Sequence, residues 1–336
     1  MSSRAPRTVG GLAACLTAVA LAAACSGKPA VPAHTSATKA SAPVAKPSAP
    51  ALPGVPLSGR AVLAVKIDNT PAGRPRIGLA QADIVYVEPV EGGLTRLMAV
   101  FSRQLPPLVG PVRSGRETDK DLLANYGPVA LAYSGASSYT VGVLATGHQV
   151  NLVFDYGSRG FYRDHSRPAP YNVIGNTGQL LARAGGGVPA RDIGFRYGPP
   201  ASPGAPATSV AAAWPSSTES LVWNAARRQY LVTSNGQPDV SPTGQQYGAT
   251  TVVVQYVQTH LTANRDVNGV HTPLAEVIGH GAATVLRDGR VWRGTWTRPS
   301  ATAPTAFSAA GTQVTFAPTG TVWVLLVSAG DRVTVS

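Results

Sequence analysis

Cysteine is nearly absent: the 336 residues contain two, Cys15 and Cys25, both within the first 25 positions. The chain beyond Cys25 therefore has no disulfide, and any folded part has to rest on a hydrophobic core. Charged residues are also scarce, at 13%, and aromatics reach only 7%. His148, His165, His260, His271 and His280 are scattered, with no His-Glu-x-x-His and no paired-cysteine spacing, so neither a metal nor another cofactor is expected. Gly185-Gly-Gly187 has no Lys-Ser/Thr after it and reads as a helix stop, not a phosphate loop. No Gly-x-Ser-x-Gly elbow surrounds Ser114 or Ser134-Gly-Ala-Ser-Ser138, which argues against a serine nucleophile. A dense Lys/Arg run interleaved with aromatics is missing too, so nucleic acid is not an expected partner.

What is present begins with an export signal. Arg4 and Arg7 precede the apolar run Val9 to Ala24, which ends at Leu21-Ala-Ala-Ala-Cys25-Ser-Gly. Small residues before a cysteine, followed by Ser and Gly, have the form of a bacterial lipoprotein cleavage box. Cleavage there leaves Cys25 as the first residue, carrying lipid, palmitate included, on its thiol and its amine. The third residue before Cys25 is Ala22 where such boxes usually have Leu, which sits one position earlier. Leu12-Ala-Ala-Cys15 matches by letters but has too little apolar chain before it. Plain secretion is the other reading, and a spanning helix needs about 20 apolar residues, more than this run supplies. The expected location is the cell membrane, lipid-anchored, on its extracytoplasmic face. A net charge of +12, with Arg far outnumbering Lys, reflects either host composition or attraction to anionic headgroups and wall polymers.

Length and a 44% hydrophobic content allow two domains of ordinary size, while 36 Gly and 29 Pro predict many turns and a linker. Residues 1–25 are the signal, and 26–59, rich in Pro, Ala, Ser and Thr, read as a disordered tether. The expected class is α+β: an N-terminal α/β sheet domain over 60–197, a Pro-rich linker over 198–218, and a mostly antiparallel β domain over 219–336. In the first, Ala61 to Ile67, Ile84 to Val90, Leu94 to Ser102, Val129 to Ser134 and Leu152 to Asp155 read as strands. Thr118 to Tyr126, Ser137 to Thr146 and Asn176 to Ala184 read as helices. In the second, Asp288-Gly289 between two strands is a strong hairpin signal, and Trp292, Trp296 and Trp323 are spaced like sheet core or face residues, core being favoured over sugar stacking by one of them.

Charge concentrates between Asp83 and Glu117, where Glu88, Glu91, Arg96, Arg103, Arg113, Arg116 and Glu117 fall among glycines, prolines and apolar runs. Glu88 and Glu91 have three readings: an acid/base pair, ion pairs to Arg96 or Arg113, or ligand contacts. Residues three apart in a strand point to opposite faces, so a turn at Pro89 or Gly92-Gly93 would be needed to converge them. Arg113-Ser114-Gly115-Arg116 precedes a predicted helix. Ser114 and Glu117 have capping-box spacing, and two flanking guanidiniums suit a carboxylate or phosphate. Arg159, Arg163, His165 and Arg167, with Tyr162, Tyr171 and Asn172, form either part of the same cleft or a solvated loop.

Asp68-Asn69, Arg74-Pro75, Gly78 to Asp83, Val90-Glu-Gly-Gly-Leu-Thr-Arg96 and Gly110-Pro-Val-Arg-Ser114 with Arg116 follow one another in a long, non-repetitive series. Val252 to Tyr256, Gly281 to Arg287, Asp288 to Trp296 and the Trp323 segment extend it. This series resembles the YerB-like lipoproteins, bacterial surface proteins built from a two-part domain of unknown function. The resemblance covers residues 60 to 336 and implies a membrane-anchored extracytoplasmic protein; it brings no reaction. The Ala/Pro-rich tether and Arg bias fit a high-GC Gram-positive host. The expected role is a cell-envelope binding or accessory protein. Its cleft would be built from Asp68, Asn69, Arg74, Glu88, Glu91, Arg96, Arg113, Ser114 and Arg116. Expected partners are the membrane through the lipid, and an anionic cell-wall polymer, peptidoglycan or a cell-wall synthesis enzyme. The alternative is a hydrolase or transferase on envelope carbohydrate or peptide, with Glu91 or Glu88 as acid or base.

Overall fold

The first apolar run forms strand β1 (Leu63–Asp68), and all six of its residues are buried. A strand without an exposed face has to be covered on both sides. It pairs antiparallel with β3 (Thr95–Phe101), which pairs antiparallel with β2 (Ile84–Pro89). The structure, a computed structural model, describes residues 61–154 and 159–336. The signal 1–25, its Cys25 and the tether 26–59 lie outside the described residues.

These three strands sit in one large mixed sheet. From one edge its order is Thr312–Gln313, Ala306–Ala309, Arg290–Arg298, Gly279–Arg287, Thr251–Tyr256 and Val322–Val327, then β2, β3 and β1, then Ala130–Tyr133 and Val150–Val153. Three short helices accompany it: α1 (Thr118–Leu123), α2 (Ser138–Ala145) and α3 (Thr177–Arg183). The fold is mostly β. Helices α2 and α3 begin where the sequence predicts, because Ser137 accepts from the Thr140 amide and Asn176 from the Gln179 amide. The Asp288-Gly289 turn also forms as expected. Both residues have positive φ, 53° and 70°, and Arg287 lies opposite Arg290.

A second sheet, containing Gln229–Ser234, Ser217–Asn224, Ser209–Trp214 and Arg332–Val335, packs on one face of the first. Between them lie Leu63, Val65, Val85, Val210, Trp214, Leu221 and Val232. The opposite face buries Ala64, Tyr86, Met98, Leu122, Leu144, Trp296 and Phe316. Trp292, Trp296 and Trp323 are all buried, as their spacing predicts.

Two expectations change. The stretch 198–218 is not a free linker, because strands Ala205–Pro206 and Ser209–Trp214 lie within it. Val210, Ala212 and Trp214 alternate into the core, but alanine's low strand propensity and the flanking prolines hide that period. The two halves of the chain also share one sheet. Val322–Val327 pairs parallel with Thr251–Tyr256 on one side and with β2 on the other. The described residues accordingly form one compact unit, and both hydrophobic clusters lie inside it, so a chain starting at residue 26 keeps its whole core.

Leu325 lies opposite both Val87 and Val254 and is fully buried. Leu325→Ala should destabilise the whole unit by about 2–5 kcal/mol in one cooperative transition. Thermal melts followed by circular dichroism and by tryptophan fluorescence should coincide; separate melting of the two halves would contradict the shared sheet.

Candidate functional site

Lys66 and Asp68 are the polar exceptions in β1, and they point to one face, two residues apart. The register sets Asp68 opposite Arg96 and Arg96 opposite Glu88, so three charged side chains share one row across β1, β3 and β2. Pro111 to Arg113 then runs beside the end of β1: the Asp68 amide donates to Pro111 O at 3.0 Å, and the Arg113 amide to Lys66 O at 2.9 Å. This brings Arg113 beside Asp68. Gly115 follows where a Cβ would come within 2.9 Å of Leu144 Cδ1 and 3.0 Å of the Tyr133 ring, so a larger residue there would have to displace one of these side chains.

Arg96, Arg113, Ser114, Arg116 and Glu91 line a cleft of about 610 Å³. Tyr171, Ser137, Thr140, Asn264, Arg265, Asp266 and Thr272 complete its walls. The lining carries four arginines against two carboxylates, Glu91 and Asp266, so it is net positive. The Arg113 guanidinium lies over the Tyr171 ring, 5.1 Å from its centroid, and donates to Pro170 O at 3.0 Å. Asp68 stands behind the wall, fully buried, with Oδ2 3.0 Å from Arg113 Nε and 3.7 Å from Arg96 Nη1. Neither contact has hydrogen-bond alignment; Arg96 Nη1 donates to Thr95 O at 3.1 Å, and its buried Nε has no acceptor among the described residues. Burial lowers the Arg96 pKa to about 10, and the charges of Arg113 and Arg116 add to the fall against the pull of Asp68.

The glutamates part company. Glu91 Oε2 accepts from Arg116 Nε at 2.9 Å and from Nη2 at 2.7 Å, and Glu91 Oε1 accepts from Thr272 at 2.7 Å. Gly92 and Gly93, both with positive φ, make the turn that points Glu91 there. Glu88 is fully buried and outside the cleft lining. Lys66 Nζ donates to Glu88 Oε2 and to Asp119 Oδ1, each at 2.8 Å. Burial pushes the Glu88 carboxyl up to about 8, and the nearby Asp119 carboxylate adds to the rise while Lys66 opposes it.

Other expectations are revised. Ser114 does not cap α1: its hydroxyl donates to Ser134 O at 3.3 Å, and Glu117 occupies the cap position without a side-chain cap bond. Glu117 instead accepts from Thr262 and Asn264, and Asp119 takes the Arg116 amide. Carboxylates thus fill the start of a six-residue helix, so it offers no anion site. Asn69 and Arg74 face the second sheet. Asn69 donates to Thr95 and Glu219, and Arg74 to Ser234 O. Beside them Arg76 pairs with Asp239, and burial, aided by Asp239, raises the Glu219 pKa to about 7. Of the Arg159 to Asn172 group, Tyr171 alone reaches the cleft lining; Arg163 donates to Asn172 and Arg167 to Pro75 O.

Sequence reasoning missed Lys66, Asp119, Asn264 and Thr272. A lone lysine within an apolar strand is a readable signal of a buried partner, which would have found the first. Asn264 and Thr272 belong to a two-stranded arm, Gln258–Arg265 and His271–Glu276, far along the chain and carrying no motif. Asn264 is the arm's anchor: Nδ2 donates to Glu117 at 3.1 Å and Thr140 at 3.0 Å, and Oδ1 accepts from Ser137 at 3.0 Å.

A carboxyl raised on folding gives a stability that falls as pH rises. Between its unfolded value of 4.5 and its folded value of about 8, Glu88 keeps in the folded state a proton that the unfolded chain has lost. Its contribution is therefore complete below pH 4.5 and gone above 8. Glu88→Gln cannot titrate and should flatten the fall in Tm from pH 5 to pH 8 by about 5 °C. An unchanged slope in melts across that range would contradict a protonated Glu88.

Residues 51–188 match the N-terminal domain, and residues 210–324 the C-terminal domain, of a family described as protein of unknown function (DUF3048). A Bacillus subtilis (strain 168) protein named as a lipoprotein, YerB, is 36% identical over 115 residues, which are 34% of this chain and 34% of that protein. The match spans about a third of that relative's length. The crystal structure of YerB protein from Bacillus subtilis has the same fold: the TM-score is 0.70 at 21% identity, covering 83% of this chain and 98% of that one. With both domains matched in order, the chain belongs to the YerB-like family of DUF3048 proteins.

Proposed function

We propose that this chain is a lipid-anchored protein of the extracytoplasmic membrane face that binds an anionic envelope component in its arginine cleft. The observation that carries the reading is the convergence of Arg96, Arg113, Arg116 and Arg265 on one cleft whose lining holds only two carboxylates, Glu91 and Asp266. Arg96, buried, has Thr95 O at 3.1 Å and Asp68 at 3.7 Å as its partners, and an anion in the cleft would add a charge-assisted one. The tyrosine-stacked Arg113 stands ready beside it. An anionic wall polymer, peptidoglycan, or an acidic segment of a cell-wall synthesis enzyme would meet this chemistry.

Acid/base catalysis is the less supported reading. Glu91 is committed to Arg116 and Thr272, and Glu88 lies behind the wall with Lys66 and Asp119. Neither presents a free carboxyl to a substrate.

Residues 26–336 should be retained by one of three fractions: peptidoglycan sacculi, soluble wall polymer or membrane extract. Arg113→Ala should weaken that retention about 10-fold or more, the scale of one charge-assisted hydrogen bond. Retention that Arg113→Ala leaves intact and high salt removes would mean the +12 net charge acts alone, and the cleft reading would fall. The anchor has its own test. Cys25→Ser should move the full chain from the membrane to the soluble fraction of its host, and continued membrane association would count against lipid at Cys25.

A further inference from the structure

We infer, resting on the anion-binding reading above, that the ligand is an amphiphile whose anionic head sits in the arginine cleft and whose hydrocarbon chain lies in a groove beside it. The arm Gln258–Arg265 and His271–Glu276 separates two cavities and shows each a different face. Asn264 and Thr272 face the cleft, whereas Thr259, Leu261 and Pro273 face a second cavity of about 510 Å³. That groove is walled by Pro89, Val90, Trp214 and Pro215 as well, so it is largely apolar; its carboxylates are Glu91 and Asp331, the latter bonded to Ser328.

The groove and the cleft adjoin. Both are lined by Val90 and Glu91, and the arm's tip supplies Val267 and Asn268 to the cleft and Gly269 and Val270 to the groove. Apolar side chains stand out at this junction: Leu261 is 67% exposed, Val270 40%, and Val267 wholly exposed. Large apolar side chains grouped on one arm beside an apolar groove mark a surface that something covers. Charge complementarity says what. The adjoining cleft has four arginines against two carboxylates, and Glu91, the carboxylate at the junction, is already neutralised by Arg116. A small free anion would leave the groove and the arm uncovered. A neutral hydrocarbon would leave the cleft's excess of arginines without an anion. A molecule with an anionic head and an apolar chain meets both halves.

The probes are n-butyl phosphate, n-decyl phosphate below its micelle concentration, and decyl maltoside, titrated calorimetrically into residues 26–336. Each buried methylene is worth about 4-fold in affinity, so with only part of the longer chain buried, decyl phosphate should bind about 100-fold tighter than butyl phosphate. Leu261→Asn, an uncharged polar change at an exposed position that does not support the core, should cut that gain about 10-fold and weaken butyl phosphate far less. Val270→Asn should act the same way. Equal affinities for the two phosphates would overturn the amphiphile and leave the cleft standing. Decyl maltoside binding as tightly as decyl phosphate would show adventitious chain binding only and overturn the joint site. No binding of either phosphate would overturn both the amphiphile and the anion cleft beneath it.

Discussion

The parallel strand Val322–Val327 is the constraint on which the rest of the fold depends. It comes from the end of the chain, is buried throughout, and hydrogen-bonds to Thr251–Tyr256 and to β2 on its two sides. Without it, β2 would be an unpaired edge and the sheet would divide into two. A parallel neighbour also needs long connections, so the strand pairings that close the fold are among the most distant in sequence. The family's two matched domains are thus two stretches of one cooperative sheet.

That sheet also explains where the charge collects. Its two faces are covered by a second sheet and by helices, so polar groups are accommodated only at the strand ends. β1 ends in Lys66 and Asp68, β2 in Glu88, and β3 begins with Arg96, all at the same end of the same face. Lys66 holds Glu88 and Asp119 together in the dry interior, and this layer supports the wall that Arg96, Arg113 and Arg116 form above it. Burying such charges is tolerated only when partners are close, and here nearly all are. Arg96, Arg113 and Arg116 are the members of this group that line the cleft, which is why they carry the functional reading.

The division between structural and exposed charge was only partly legible beforehand. The sequence points to a cleft at Glu91, Arg96, Arg113, Ser114 and Arg116, and these residues line one. It points to Asp68 and Glu88 there too, and they serve as its buried support. Asn69 and Arg74 belong to a different network, with Glu219, Asp239 and Ser234, that ties the first half of the chain to the second sheet. Charges within a few residues of each other look alike in a sequence, but alternation along a strand and the direction of a turn send them to different places. The capping box at Ser114 failed for the same reason. The partners that Ser134, Thr262 and Asn264 supplied came from elsewhere in the chain.

Local physics let the sequence by itself determine the export signal as an expectation, the principal strands, two helix starts, the Asp288-Gly289 hairpin and the tryptophan core positions. These features depend on periodicity, capping and turn chemistry carried by neighbouring residues. Tertiary structure alone decided that the two halves share a sheet, that 198–218 contributes strands, and that an arm at 258–276 closes the cleft. The Glu91 to Thr272 bond joins positions 181 apart. Contacts at such separation are set by how whole strands order and register against each other. No short stretch of residues encodes that choice.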